Sequence, residues 1–253
     1  MRNYSRYPMD GLKNCRDLGG LPTADGGITR FGVMIRSELP RELTEHDVEI
    51  FRELGVTTSI DLRGERECEA HPSHMKKLDF VEYINLSLFN EEVAMGADIK
   101  RPEPPKDPSQ MEWGPMYIDM LEESKDWARR VVETIAAAPG AVQFNCTTGK
   151  DRTGLVSMML LSIAGVSDED IIANYAVSEI HMRSVYLTMA HMLPGGAESE
   201  ADLDRGFFCT GHQNMRTVLR YLKENYGGAL EYIRSVGVSD ETIKKVHDKL
   251  VEY

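Results

Sequence analysis

Residues 146–154 read Cys-Thr-Thr-Gly-Lys-Asp-Arg-Thr-Gly, and this stretch decides the fold of the chain. A short apolar run at 141–145 precedes it, and an apolar run of helical character at 155–163 follows it. This order predicts a strand, a tight loop and a helix, with Cys146 at the start of the loop and Arg152 at its end. Backbone amides of a loop that feeds a helix N-terminus form a cradle for an oxyanion.

Cys146 and Arg152 indicate what this cradle holds. The planar guanidinium of Arg152 matches two phosphate oxygens at once. A thiol at the floor of the cradle is stabilised as a thiolate by the helix terminus, the amides and the guanidinium together. The stretch therefore predicts the phosphate-binding loop of a cysteine-dependent phosphatase. The alternative is that Cys146 is simply a small buried hydrophobic residue at a strand end.

Length and charge limit the possible classes of protein. A chain of 253 residues is predicted to form a single phosphatase domain (1–253), with lid segments as its only additions. The net charge of −12 argues against nucleic acid or an anionic membrane as a bulk partner. A site for an anionic substrate must then be a local positive focus, which residues 145–152 supply.

The spacing of the four cysteines bears on two questions, the redox state of the compartment and the presence of a metal site. They are widely spaced and form no Cys-x2-Cys or Cys/His cluster, so neither a structural zinc site nor a disulfide framework is expected. The first residues contain no apolar targeting segment, and no run reaches membrane-spanning length. We therefore expect a cytoplasmic protein without stable membrane insertion, cofactor or metal; the sequence leaves the oligomeric state open.

Alternating strand and helix signals predict the fold class. Apolar runs bounded by glycine or charged residues indicate buried strands at 33–35, 56–60, 80–86 and 141–144. Helices are expected between them at 44–54, after a Thr44-x-x-Asp47 capping box, and at 116–138. We predict an α/β fold with a central, largely parallel β-sheet flanked by helices. Its ligand loop lies at the carboxyl end of a strand.

The chain beyond the loop is predicted to be an all-helical C-terminal part, with helices at 167–178, 213–226, 229–236 and 240–252. Two segments, 100–114 and 193–211, show neither a helical nor a strand period and are long for loops in a compact domain. We expect each of them to be either a mobile segment or a functional lid. Trp113 or Phe207 could contact a substrate ring in these segments, or could merely anchor a loop.

Four blocks in order resemble the bacterial atypical protein-tyrosine phosphatase family, which includes tyrosine, dual-specificity and lipid phosphatases. They are Asn-Cys-Arg-Asp-Leu-Gly-Gly at 14–20, Arg36-Ser37 followed by Leu39, Ile-Asp-Leu-Arg at 60–63, and the loop at 146–154. The resemblance covers most of the chain and implies a cysteine-dependent phosphatase fold. Two positions depart from the family pattern. Asn145 stands where the family has a histidine, and Thr148 replaces an alanine.

The resemblance implies a mechanism. Cys146 attacks phosphorus in line and forms a cysteinyl-phosphate intermediate, which water then hydrolyses. Arg152 and the loop amides stabilise the transition state, and Thr153 donates a hydrogen bond to the thiolate. The residues predicted to bind the phosphate are Thr147, Thr148, Gly149, Lys150 and Thr153.

Two carboxylates compete for the role of general acid. The family uses the aspartate that matches Asp151, whereas a carboxylate there could otherwise be a helix N-terminal charge. Asp61 at a strand end is the second candidate, and its alternative role is a structural pair with Arg63.

Charged residues around the loop have two interpretations each. Lys150 adds a second cation near the phosphate, as the resemblance implies for phosphatases that act on inositol lipids, or it is a solvated side chain that offsets Asp151. Arg16, Asp17 and Arg36 either support the loop by hydrogen bonds or form surface ion pairs of little energetic weight.

The predicted function is hydrolysis of phosphate monoesters, with phosphotyrosine protein as substrate and phosphoserine, phosphothreonine or phosphoinositide as further possibilities. One alternative is a phosphoinositide or inositol-phosphate phosphatase with little protein activity. Another is a pseudophosphatase that binds phosphorylated partners, which the uncharged Asn145 would favour.

Overall fold

The computed structural model describes residues 4–88, 112–190 and 211–253. Nearly all of the two predicted lids, including Phe207, lies outside these ranges; only residues 112–114 and 211 of those segments are described.

The described residues form seven strands and nine α-helices. The strands are β1 (Arg16–Asp17), β2 (Ile28–Thr29), β3 (Met34–Ser37), β4 (Val56–Asp61), β5 (Glu82–Asn85), β6 (Ala141–Asn145) and β7 (Val251–Glu252). The helices are α1 (Glu45–Glu53), α2 (Glu65–Ala70), α3 (Trp113–Glu123), α4 (Lys125–Ala137), α5 (Asp151–Ile163), α6 (Asp168–Ala190), α7 (His212–Tyr226), α8 (Ala229–Ser235) and α9 (Asp240–Leu250). A short 3-10 helix spans His74–Lys77.

The main sheet has the strand order β1-β3-β6-β4-β5. Strands β3, β6, β4 and β5 run parallel, and β1 pairs antiparallel with β3 at one edge. Helices pack around this sheet, which confirms the predicted α/β class with a largely parallel sheet. Strand β6 lies at the centre, so the loop that follows it emerges between the ends of β3 and β4.

The two faces of the sheet bury separate cores because side chains alternate along each strand. Met34, Val142 and Phe144 pack into the larger core with the helices that follow β5. Ile35 and Ala141 point to the smaller core, which α1 and the N-terminal segment complete. Helix α5 is buried along almost its whole length, since α4, α6, α8 and α9 all contact it.

The capping box predicted for α1 is present. The Thr44 hydroxyl accepts from the Asp47 amide at 3.2 Å, and the Asp47 carboxylate accepts from the Thr44 amide at 3.0 Å. These bonds satisfy two amides that a helix start leaves unpaired.

Three helix boundaries differ from the prediction. The single helix expected at 116–138 is two helices, because Ser124 adopts φ −120° and ψ 42° and breaks the backbone ladder. Helix α6 continues to Ala190, well beyond residue 178, and buries Met182 and Tyr186. The last helix ends at Leu250, since the next residues form β7 and pair with β2. Where it is described, at 151–190 and 211–253, the C-terminal part therefore contains helices and this one strand.

None of the helices in the described ranges is both long and apolar enough to span a membrane.

Candidate active site

The loop at 146–150 emerges where three parallel strands end together. Ser37 at the end of β3 and Asp61 at the end of β4 both pair in register with Asn145 at the end of β6. Cys146 follows immediately and is buried, and helix α5 begins at Asp151. The predicted order of strand, loop and helix is confirmed, and it lies at the carboxyl edge of the sheet.

Gly149 is required by the tight course of the loop. Its φ is +68°, a left-handed conformation that disfavours any side chain. A Cβ at this position would also lie 2.5 Å from the backbone of Ser37 and Glu38. The loop therefore packs directly against the end of β3.

The carbonyls of residues 147–149 in the loop accept hydrogen bonds from neighbouring groups of the protein. The Leu39 amide donates to the Thr147 carbonyl at 3.2 Å. The Asn14 side chain donates to the Thr148 and Gly149 carbonyls at 3.1 and 3.2 Å. In a trans peptide the carbonyl and the next N–H point in opposite directions. The amides of residues 148–150 therefore point away from these partners, as an oxyanion cradle requires.

Arg36 lies fully buried beneath the loop. Its guanidinium donates to the Gly149 carbonyl at 2.8 Å and to Asn174 Oδ1 at 2.7 Å. Burial lowers its pKa to about 10, and the charge of Cys146 acts in the opposite direction. Of the two interpretations of Arg36, loop support fits and a surface ion pair is wrong. Arg36 thus brings a cation to the loop, which the uncharged Asn145 does not supply.

Arg16 supports the same loop through Asn14. It is buried, and its Nε donates to Asn14 Oδ1 at 3.0 Å. Its other nitrogens donate to the Asn174 carbonyl at 2.8 Å and to Ser178 Oγ at 2.7 Å. The surface-pair interpretation is therefore wrong for Arg16 as well. Asp17 is also buried, but it accepts hydrogen bonds from Tyr7 and the amides of Gly19 and Gly32 and makes no hydrogen bond to the loop.

Arg152, at the far end of the loop, is held by Glu67. Its two terminal nitrogens donate to the Glu67 carboxylate at 2.6 and 3.1 Å. The Thr147 hydroxyl donates to the same carboxylate at 2.9 Å. Burial raises the pKa of Glu67, but the hydrogen bond and charge of Arg152 outweigh it and bring the pKa to about 2.

Asp151 lies at the first position of α5 among three further polar groups. Tyr117 donates its hydroxyl to Asp151 Oδ1, and the Tyr175 hydroxyl lies 2.9 Å from that of Tyr117. Lys150 Nζ lies 3.5 Å from Asp151 Oδ1 and 4.4 Å from the centre of the Trp113 ring. The Lys150 side chain is only 3% exposed, so the interpretation of it as solvated is wrong.

Asp61 is fully buried and paired. Arg63 donates to its two oxygens at 2.9 and 2.7 Å, and the Tyr83 hydroxyl donates at 2.9 Å. The alternative considered for Asp61, a structural pair with Arg63, is what the structure contains.

The remaining predicted loop residues are buried or hydrogen bonded. Asn145 donates to the Cys146 carbonyl at 3.3 Å and accepts from Gln143 at 3.2 Å. Tyr186 of α6 is buried; burial raises its pKa above the ordinary value, and Thr148 acts in the opposite direction. The Thr153 hydroxyl is buried and has no hydrogen-bond partner among the described residues.

Sequence reasoning missed Glu67, Tyr117 and Tyr175. Glu67 belongs to a short charged helix where several carboxylates look alike, and the tyrosines read as core residues. Of the three, only Glu67 has a signal in the sequence, namely its position four residues after Arg63, which ends the Asp-Leu-Arg block.

One group in the described ranges has metal-ligand character. Atoms of Asp10, His46 and Asp47 lie within 4.8 Å of one another. The Asp47 carboxylate already accepts from the amides of Asp10, Gly11 and Thr44, so its oxygens are used to cap α1.

A Cys-x5-Arg loop between a central parallel strand and a buried helix places this chain in the phosphatase class. The particular family follows from comparison with known proteins, where the model of the tyrosine phosphatase family matches residues 7–252. The chain belongs to this family, and it is a protein-tyrosine phosphatase of bacterial type. The family prediction is confirmed.

Two relatives illustrate the match. A tyrosine-protein phosphatase from Nostoc commune is 32% identical over 215 residues, which cover 82% of this chain and 70% of that protein. The triple specificity protein phosphatase PtpB of Mycobacterium tuberculosis is 25% identical over 276 positions, covering 96% of this chain and 98% of that protein. Among solved structures, Pseudomonas aeruginosa TpbA covers 92% of this chain and 96% of its own, at 12% identity and a TM-score of 0.38.

Proposed function

We propose that this tyrosine phosphatase hydrolyses phosphate monoesters through a cysteinyl-phosphate intermediate on Cys146. The observation that carries the proposal is the position of Cys146 at the floor of the loop at 146–152. The amides of residues 148–150 point away from the groups that bind the loop carbonyls, and Arg152 is held at the end of the loop by Glu67. A buried Arg36 below the loop adds positive charge beside the thiol. Together these groups favour a thiolate and a bound oxyanion.

In the first step, the Cys146 sulfur attacks phosphorus, so that a P–S bond forms as the P–O bond to the leaving group breaks. Glu67 accepts from two of the five N–H donors of Arg152, and the Thr147 hydroxyl accepts from Nη2 at 3.4 Å, which leaves two donors for the phosphoryl oxygens. Asp151 gives its proton to the leaving oxygen. It is partly exposed beside the loop, where a substrate oxygen can reach it.

In the second step, water attacks phosphorus and the P–S bond breaks. The Asp151 carboxylate takes the proton from this water, and Cys146 leaves as a thiolate. The Thr153 hydroxyl, buried and without a partner in the described chain, is available to stabilise that thiolate. The remaining loop residues bind the phosphate through their amides, and Lys150 adds a neighbouring cation.

Asp61 does not serve as the acid in this proposal. Its carboxylate is inaccessible and already accepts from Arg63 and Tyr83. Because this carboxylate is buried in an ion pair with Arg63, Asp61 is assigned to structure.

Phosphotyrosine protein is the proposed substrate, with phosphoserine and phosphothreonine as companions. Phosphoinositides are the second candidate because the buried Lys150 adds a cation beside the loop. The net charge of −12 weighs against docking on an anionic membrane. Cys15, Cys68 and Cys146 are free thiols, which supports a reducing compartment such as the cytoplasm.

The test is phosphate release from a phosphotyrosine peptide, a phosphoserine peptide and a short-chain phosphoinositide, with EDTA present. We expect turnover by wild type and by Cys68→Ser, a control that changes a buried thiol outside the loop, and none by Cys146→Ser. The ratio of rates on the three substrates assigns the substrate class. Tight phosphate binding without turnover by wild type would contradict the proposal and favour a pseudophosphatase.

A further inference from the structure

Tyr117 and Tyr175 form a hydrogen-bonded chain that ends on Asp151. Tyr117 lies on α3 and is fully buried, and its hydroxyl donates to Asp151 Oδ1. The hydroxyl oxygens of Tyr117 and Tyr175 are 2.9 Å apart. Neither tyrosine has a role in the two chemical steps described above.

The direction of this chain follows from counting protons. A tyrosine hydroxyl has one hydrogen, and Tyr117 gives it to the carboxylate, so Tyr175 must donate to Tyr117. Burial and the nearby charge of Asp151 raise the pKa of Tyr117 well above its ordinary value. Tyr117 is therefore held as a hydrogen-bond donor to Asp151.

Aromatic packing fixes where Tyr117 stands. Its ring stacks on Trp113 at a centroid distance of 6.2 Å and meets the edge of Tyr175 at 6.0 Å. Helix α3 approaches α7 closely at Gly114, where a Cβ would lie 2.9 Å from the Thr217 side chain. The hydroxyl is thus presented to Asp151 from a rigid part of the core.

We infer that Tyr117 is the positioning residue for the proton that Asp151 transfers, an inference that rests on the proposed role of Asp151 as general acid. Asp151 Oδ1 accepts from Tyr117 and lies 3.5 Å from the Lys150 ammonium, so it is held as the acceptor oxygen. No hydrogen bond reaches Oδ2 from any described residue. A neutral carboxyl held in this way carries its proton on Oδ2.

The proton transfers of the two steps balance in this arrangement. In the first step the O–H bond at Asp151 Oδ2 breaks and the proton goes to the leaving oxygen. In the second step the same oxygen takes a proton from the attacking water. Tyr117 keeps its own proton throughout, so it acts through Asp151 and does not touch the substrate.

The test uses two aryl phosphates whose leaving groups need the acid to different degrees. Phenolate is a strong base and needs a proton on departure, whereas p-nitrophenolate is a weak base and departs with little help. We expect Tyr117→Phe to lose about tenfold or more in kcat on phenyl phosphate but less than about twofold on p-nitrophenyl phosphate. Tyr232→Phe is the matched control, since it removes a buried hydroxyl that donates to the Leu121 carbonyl at 2.7 Å.

A ratio of two substrates is independent of the fraction of folded enzyme. Tyr175→Phe removes the next link of the chain, and we expect it to shift the same ratio by a smaller factor. This second variant keeps the test decisive if Tyr117→Phe folds poorly. Equal losses on both substrates in the two variants, or no loss in either, would overturn the inference.

Asp151→Asn separates this inference from the proposed function. We expect it to lose activity selectively on phenyl phosphate, and we expect Tyr117→Phe to change the ratio no further in that background. A selective loss in Asp151→Asn without one in the tyrosine variants would overturn the role of Tyr117 and leave Asp151 as the acid. Absence of a selective loss in Asp151→Asn would overturn both.

Discussion

Glu67 and Arg152 form a bidentate ion pair, with N–O distances of 2.6 and 3.1 Å. Glu67 belongs to the short helix α2 that follows β4, whereas Arg152 lies in the first turn of α5, the helix after β6. Because β4 and β6 are neighbours in the sheet, residues 85 positions apart meet at its carboxyl edge. The same carboxylate accepts from the Gly64 amide, which caps α2 and ties the ion pair to the backbone.

The first prediction concerns activity. Glu67→Ala should lower kcat/KM on p-nitrophenyl phosphate by about tenfold to a hundredfold, because an unanchored guanidinium is no longer held in position for the phosphate. Steady-state kinetics measure this loss. Glu69→Ala, an exposed position on the same helix, is the matched control and should retain wild-type kinetics. Equal kinetics for the two variants would show that Arg152 orients itself without Glu67.

The second prediction concerns stability against pH. The pKa of Glu67 is lowered from 4.5 to about 2 in the folded protein. A carboxylate with a lowered folded-state pKa stabilises the fold above its unfolded value and loses this contribution as the pH falls through the folded value. Wild type should therefore exceed Glu67→Gln in free energy of unfolding above about pH 4.5. The difference should shrink between pH 4.5 and 2.

Urea unfolding at several pH values between 6 and 3 measures this difference. Because the Glu67 side chain is 42% exposed, solvent screening reduces its size, and the trend with pH is the decisive observation. A difference between the two proteins that stays constant over this range would contradict the assignment of the low pKa to Glu67.

The third prediction separates the two aspartates. Asp61→Asn should lower the free energy of unfolding by about 3–5 kcal/mol, because it leaves Arg63 buried without its counter-charge. Asp151→Asn should change the stability far less, since Asp151 is partly exposed. Chemical denaturation of both variants measures the contrast. A stable Asp61→Asn protein that loses activity selectively on phenyl phosphate would instead identify Asp61 as the acid.

The fourth prediction concerns the course of the loop. Gly149→Ala should abolish phosphate binding, because the new Cβ would lie 2.5 Å from the backbone of Ser37 and Glu38. Gly26→Ala is the matched control, since Gly26 also has positive φ but has no atom within 4 Å of that Cβ. It should cost only about 1–2 kcal/mol of stability through the left-handed backbone. Calorimetry with inorganic phosphate compares the two, and equal affinities would contradict the role of Gly149.

The sequence predicted those features that depend on neighbours along the chain. The loop from Cys146 to Thr153, its flanking strand and helix, and the Thr44 cap each involve residues a few positions apart. Their conformations follow from local hydrogen bonding and from the periodicity of buried side chains. The break at Ser124 escaped because the apolar period continues on both sides of it. Strand β7 escaped because its partner, β2, lies at the other end of the chain.

By itself the sequence determined which reactive groups lie at the sheet edge: a thiol, a guanidinium, an aspartate and a loop with glycine. Local backbone geometry imposes their order. Only the tertiary structure decided which partner each group received. Glu67 forms an ion pair with Arg152, and Arg36 donates to the Gly149 carbonyl. Tyr117 donates to Asp151, and Arg63 forms a buried ion pair with Asp61. The physical reason is that these partners meet through strand order and helix packing. Long-range contacts of this kind produce no periodic pattern in the sequence.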